Sequence, residues 1–312
     1  MPDGHRVYSY SAVLMGSPIL LKLFSHDEAL ASRVFRLIRH YEDLFTVNRA
    51  QSEVMAINHA AGLYPVTVSR PVFELIRCAR AASLLKNSAF NLAIGPLVKR
   101  WKIGFKGDSV PPADDIAALL AITRPQEVVL DETDSSVFLT KAGMEIDLGA
   151  IAKGYIADRV RDYLQKEGAE RGLINLGGNI QTLGSPEGGW SVGLKKPFST
   201  DALIGAIVVE NRSVVTSGTY ERYFEQNGTT FLTRVPATRW TTRWTASPWC
   251  RKIPWMAISG PRCYTGWVQK KAARRCVRAT SPRACFSRWA QRAVTAWTGS
   301  ISFSLRPCLS QR

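Results

Sequence analysis

The chain has 312 residues, 46% hydrophobic and 21% charged, with 41 Lys+Arg against 25 Asp+Glu for a formal net charge of +16. That length suffices for a sizeable core, and no apolar run reaches the ~18 residues that would mark a membrane span. A sequence pI near 9.9 points to nucleic acid or an anionic surface only if the charge is spread. It is not: residues 231–312 hold 16 Lys+Arg and no acid, while residues 1–230 hold 25 of each sign.

A strand-like stretch, Ser11–Phe24, leads into Ser25-His-Asp-Glu, a helix start with acids in the first turn. Leu30, Val34, Leu37, Ile38, Tyr41, Leu44 and Phe45 then recur at helical spacing and form one apolar face. A second, short helix is predicted around Ser52–His59, ended by Ala-Ala-Gly. A third begins at Ser69-Arg-Pro, with Val72, Leu75, Ile76 and Ala79 facing inward. After Pro111-Pro112 comes a shorter helix, Asp114–Ala121, and then a hairpin from Val128–Leu130 and Val137–Leu139 around polar Asp131–Ser136.

Met144-Glu-Ile-Asp-Leu-Gly-Ala-Ile-Ala-Lys-Gly-Tyr reads as a strand ending at Ile146, a turn at Gly149 and a helix that continues through Ile156, Val160, Tyr163 and Leu164. Such a turn presents backbone N–H groups and a positive dipole end to an anion. Lys153 adds a full charge, and Asp147 suits a ribose, a ring nitrogen or a cation. An N-cap aspartate beside a solvated lysine explains the spacing equally well. The glycine spacing and terminal Lys-Ser/Thr of a Walker loop are missing. Gly172-Leu-Ile-Asn-Leu-Gly-Gly-Asn-Ile is a buried strand running into a double-glycine turn, which a tight turn or a close ligand would each require. Trp190–Leu194 and Ile207–Val209 are strands, and Val214-Val-Thr-Ser-Gly-Thr-Tyr ends a strand in a hydroxyl-rich turn.

Taken in order, Met15-Gly16-Ser17, Ser52-Glu53 with Ile57-Asn58, Phe90-Asn-Leu-Ala-Ile-Gly-Pro-Leu-Val, Asp147-Leu-Gly-Ala-Ile-Ala-Lys-Gly, Asn175-Leu-Gly-Gly-Asn and Thr216-Ser-Gly-Thr-Tyr resemble the ApbE family of FAD:protein FMN transferases. The resemblance runs from about Ser11 to Phe231. It implies an α+β fold, one flavin-transferase domain over residues 1–231 with a cleft for the flavin. It also implies an enzyme that uses FAD and Mg²⁺, moves FMN onto a Thr or Ser of an acceptor flavoprotein and releases AMP. By the same resemblance Met15 and Gly16 line the flavin site and Asn48 faces the flavin. Asn91, Leu92 and Ala93 match a flavin-contacting strip, in which many relatives carry Asp first and Thr third. Asp147 and Lys153 match flavin contacts, the Ala150 carbonyl matches a Mg²⁺ ligand, and Thr216, Ser217 and Thr219 match a turn near the nucleotide. A non-catalytic FAD-binding protein and an FAD pyrophosphatase giving FMN and AMP are the alternative readings. Many relatives are exported. This chain opens without a basic start, apolar core or cleavage site, and its front segment has a single cysteine, so the cytoplasm is expected.

The tail, residues 232–312, breaks with the family. Residues 231–312 hold seven of the nine Trp and five of the six Cys. The family's His pair, Asp-Pro-x-Thr-Gly-x-Pro and Asp-x-Asp-x-x-x-Thr motifs are absent, and the last Asp and Thr of the third complete the Mg²⁺ site. Joining the last base of each codon to the first two of the next tests for a shifted frame. Trp255-Met256 then forces Asp and Met256-Ala257 forces Gly, because Trp and Met each have one codon. From Trp255 to Val268 this frame permits Asp-Gly-Asp-Ile-Trp-Thr-Thr onward, and from Leu232 to Thr242 it permits Asp-Pro-Arg-Thr-Gly-Tyr-Pro-Val-Asp-Asn. Two family motifs in the right order and one frame identify the tail as an out-of-frame, unstructured product of a GC-rich gene. The rival is a basic, Trp-rich arm for single-stranded nucleic acid. Cys250, Cys263, Cys276, Cys285 and Cys308 lack CxxC spacing, so no zinc or disulfide framework is expected.

Overall fold

Residues 6–86, 88, 90–102, 110–196 and 202–216, and the backbone of 223–226 and 229–232, are described by a computed structural model of the chain. Its centre is a five-stranded antiparallel sheet of β1 (Tyr8–Leu14), β2 (Ser17–Leu23), β6 (Gly172–Leu176), β7 (Asn179–Leu183) and β10 (Ser213–Val215), in that order. The single strand-like stretch expected at the start is a hairpin. Leu14 pairs with Ser17, and the two residues between them, Met15 and Gly16, have φ of 52° and 63°. That is the left-handed geometry a two-residue hairpin demands.

The sheet is covered on both faces, which explains why β6 reads as an almost unbroken apolar run. Ile174 and Leu176 join Ile19, Leu21 and Leu23 in the main core, whereas Leu173 joins Trp190, Val192, Leu194, Ile207, Val209 and Val214 in a second one. The first core lies under α1 (Glu28–Phe45) and α6 (Ala152–Lys166), which pack on each other. The second is closed by the hairpin of β8 (Trp190–Lys195) and β9 (Leu203–Val209), where β8 alternates buried and exposed at every residue.

Helix starts fall where the sequence places them. Asp27 caps α1 by accepting from Leu30 N at 2.7 Å, and Ser52 caps α2 (Glu53–His59) by accepting from Met55 N at 2.9 Å. The third helix, α3, runs Arg70–Ser83 with Pro71 in its first turn, and α5 runs Ala113–Leu120. The predicted hairpin is β4 (Val128–Asp131) with β5 (Ser136–Leu139), joined at its edge by β3 (Val66–Thr67). The sequence reading did not separate out α4 (Gly95–Trp101), a two-turn helix inside the Phe90–Val98 motif, although its Gly-Pro start is a legible signal. A further hairpin, β11 (Tyr223–Gln226) with β12 (Thr229–Leu232), ends the described chain.

Candidate functional site

The segment expected to be a strand ending at Ile146 pairs with no strand. It is pinned instead by a side chain and a loop. Asn58, on α2, donates from Nδ2 to Ile146 O at 3.1 Å and accepts from Ile146 N at 2.8 Å. Both residues are buried. One residue on, Asp147 N donates to Leu92 O at 2.8 Å. An asparagine amide thus does the work of a neighbouring strand, satisfying both polar groups of one buried residue. Sequence pattern placed Asn58 in the motif but assigned it no role, because its partner lies 88 residues away.

From that anchor the chain turns into α6. The Asp147 carboxylate accepts from Gly149 N at 2.7 Å, and the Ile151 and Ala152 N–H groups both donate to Leu148 O at 2.9 Å. Among the described residues the Ala150 carbonyl accepts no backbone hydrogen bond. Asp147 therefore forms a local turn and not the N-cap the spacing allowed, since α6 is capped at Ile151 without a side-chain bond, and Lys153 is no solvated lysine. Its Nζ reaches across to β2 and donates to Ser17 Oγ at 3.1 Å, and it would lie 2.9 Å from a Cβ placed on Gly177.

The double-glycine turn joins the same place. Gly177 and Gly178 have φ of 58° and 90°, and Gly178 N donates to Asn175 Oδ1 at 2.8 Å. A side chain on Gly177 would also stand 2.7 Å from Ser17 Cβ, so close approach as well as backbone conformation requires glycine there. Thr216 N donates to Gly178 O at 3.1 Å. Met15, Gly16, Lys153 and Thr216 are thus gathered around one turn of the central sheet. Ser17, which sequence reasoning assigned no role, accepts from the lysine, and the missing side chain of Gly177 leaves it room.

The remaining expected residues sit around this cluster. Beside the Met15-Gly16 turn is an open cleft of about 320 Å³, lined by Leu14 and by Arg39, Asp43 and Arg49 from α1 and the segment after it. Arg49 pairs with Asp43 at 2.6 Å, and exposed Asn48 adjoins it, its N–H bonded to Thr46 Oγ1 at 3.1 Å. Asn91 fixes its own loop, donating to Thr123 O at 2.7 Å and accepting from Ala93 N at 2.9 Å. Leu92 and Ala93 are fully buried, and the Leu92 N–H and carbonyl are taken by Ser83 Oγ and Asp147 N. Ser217 and Thr219 lie outside the described residues.

A cation of the Mg²⁺ type fits only in part. The Ala150 carbonyl and the second oxygen of Asp147 are suitable hard donors. Among the described residues, however, no group of three or more His, Cys, Asp or Glu gathers around a common point. No helix among the described residues is long and apolar enough to cross a membrane.

The central antiparallel sheet thus brings a lysine, a glycine turn and a helix start together. The chain is similar to the apbe protein of Thermotoga maritima, with a TM-score of 0.65 and 30% identity over 73% of this chain and 75% of that one. It is also similar to the flavin transferase ApbE from Vibrio cholerae, with a TM-score of 0.62 and 26% identity over 69% and 72%. The ApbE family model matches residues 15–240, and this chain belongs to that family. It is 72% identical over 225 residues to an FAD:protein FMN transferase of Klebsiella pneumoniae, spanning 72% of this chain and 70% of that protein. An FAD:protein FMN transferase of Treponema pallidum is 35% identical over 244 residues.

Proposed function

We propose that this chain derives from an FAD:protein FMN transferase and keeps the flavin-binding half of its site. The observation that carries the reading is the Lys153 ammonium held against Ser17 and Gly177 beside the start of α6, in a chain 72% identical to a protein of that name. A fixed cation beside the N-terminus of a helix is the local arrangement a pyrophosphate needs. In the transfer reaction the hydroxyl oxygen of an acceptor Thr or Ser bonds to the FMN-side phosphorus. The bond from that phosphorus to the bridging oxygen breaks, AMP leaves and the hydroxyl gives up its proton. Lys153 orients the pyrophosphate and offsets its charge. Asp147 holds the loop ahead of it by accepting from Gly149 N.

Mg²⁺ supplies further charge neutralisation in such transfers. Among the described residues the donors stop at Ala150 and Asp147, and the carboxylate expected to complete the site belongs to a motif that only the shifted frame permits. We therefore read residues 232–312 as out of frame. The family match ending at residue 240, near where the acids cease, supports this. The chain as it stands is expected to bind FAD with little or no transfer, and the gene restored to the shifted frame is expected to transfer FMN to an acceptor flavoprotein. Mg²⁺-dependent labelling of an acceptor domain by the unrestored chain overturns the second half of this reading. Free FMN released without acceptor would instead favour FAD hydrolysis. Tight FAD binding with neither product, in the restored protein, would favour a flavin-binding role. The free thiol of Cys78, the one cysteine before residue 232, agrees with a reducing cytoplasm, which fractionation of the native host tests.

A further inference from the structure

Asn179 opens β7 directly after the glycine turn, with its backbone paired to Val215. Its side chain lies against α6, Nδ2 standing 3.6 Å from where a Cβ on Gly154 would be. The residue is 7% exposed, and among the described residues its Oδ1 is buried without a hydrogen-bond partner. A buried carbonyl oxygen left unpaired costs stability and calls for an explanation. The location supplies one. Gly154 follows Lys153 in α6, and Gly178, whose carbonyl holds Thr216 N, precedes Asn179.

The group that satisfies Oδ1 must be a donor. A pyrophosphate has none at neutral pH, but the sugar hydroxyls flanking it on either side do. We infer that Asn179 Oδ1 accepts a hydrogen bond from a sugar-type hydroxyl of the bound dinucleotide, on the ribityl or ribose carbon chain next to the phosphate at Lys153. Asn179 is therefore a substrate-positioning residue. This rests on the flavin-site reading above.

The test uses the full chain and the variants Asn179→Leu and Asn179→Ala. A side chain whose oxygen is unpaired in the free protein contributes no net hydrogen bond there. Asn179→Leu should leave the melting temperature of the ligand-free chain unchanged or raise it, while weakening FAD binding about tenfold, the equivalent of one ordinary hydrogen bond. Asn179→Ala should weaken FAD binding equally. FMN and ADP as separate probes locate the donor. A loss confined to FMN assigns the ribityl chain, and a loss confined to ADP assigns the ribose. Inorganic pyrophosphate, which carries no hydroxyl, should bind both variants as it binds the parent. Lowered stability of the free chain, a loss shared by pyrophosphate, or unchanged FAD affinity overturns the inference. Failure of the parent chain itself to bind FAD refutes the underlying site and the inference with it.

Discussion

Replacing Asn58 with Leu isolates what holds the Ile146 segment in place. The two side chains share one branched four-atom skeleton, so the packing of α2 against the core is largely kept while the amide is lost. Two contacts go with it, at 3.1 Å to Ile146 O and at 2.8 Å from Ile146 N. Ile146 has no accessible surface, so water cannot replace either bond. An unpaired buried group costs about 1–3 kcal/mol, so the pair costs about 4 kcal/mol. At about 2–4 °C per kcal/mol for a domain of this size, the melting temperature should fall by about 8–16 °C. Asp147 is the next residue, so FAD affinity measured by fluorescence quenching should fall as well. A variant that melts within 2–3 °C of the parent would refute the claim that an amide substitutes for a strand here.

Gly177→Ala should displace the Lys153 ammonium, since the new methyl would sit 2.9 Å from it, and should lower FAD affinity in a titration. Gly168→Ala, with φ of 80° and open space around it, carries only the left-handed backbone penalty of about 1–2 kcal/mol and should leave FAD binding alone. Lys153→Met should weaken FAD and pyrophosphate binding together by about ten- to a hundredfold, the loss of a charge-assisted contact, as read by calorimetry. Burial raises the Asp158 carboxyl above its ordinary 3.8, partly opposed by Arg161 at 3.0 Å. A raised acid contributes stability below its unfolded pKa and loses it as pH climbs through the folded value. Asp158→Asn should therefore flatten the melting temperature against pH just above 3.8, the measurement being a series of thermal scans.

Local chemistry made most elements legible. The helix starts at Asp27, Ser52 and Ser69 carry their own caps or prolines, and the apolar face of α1 needs no partner to be seen. What escaped was long-range. Ser17 and Lys153 are 136 residues apart, and nothing at either position announces the other. The strand predicted through Ile146 failed for the same reason: apolar alternation reports burial, whereas a strand also requires a backbone neighbour, and Asn58 fills that place with an amide. Leu92 and Ala93 illustrate the converse. Motif position set them beside the flavin, and packing turned their side chains into the core.

On the proposed reading a Mg²⁺ site needs a carboxylate besides Asp147 near the Ala150 carbonyl, and every acid in this chain lies at or before Glu225. The positive tail can add no such ligand at any conformation, because residues 231–312 contain no Asp or Glu. On that reading no refolding of the tail supplies the missing carboxylate, whereas the proposed shifted frame would.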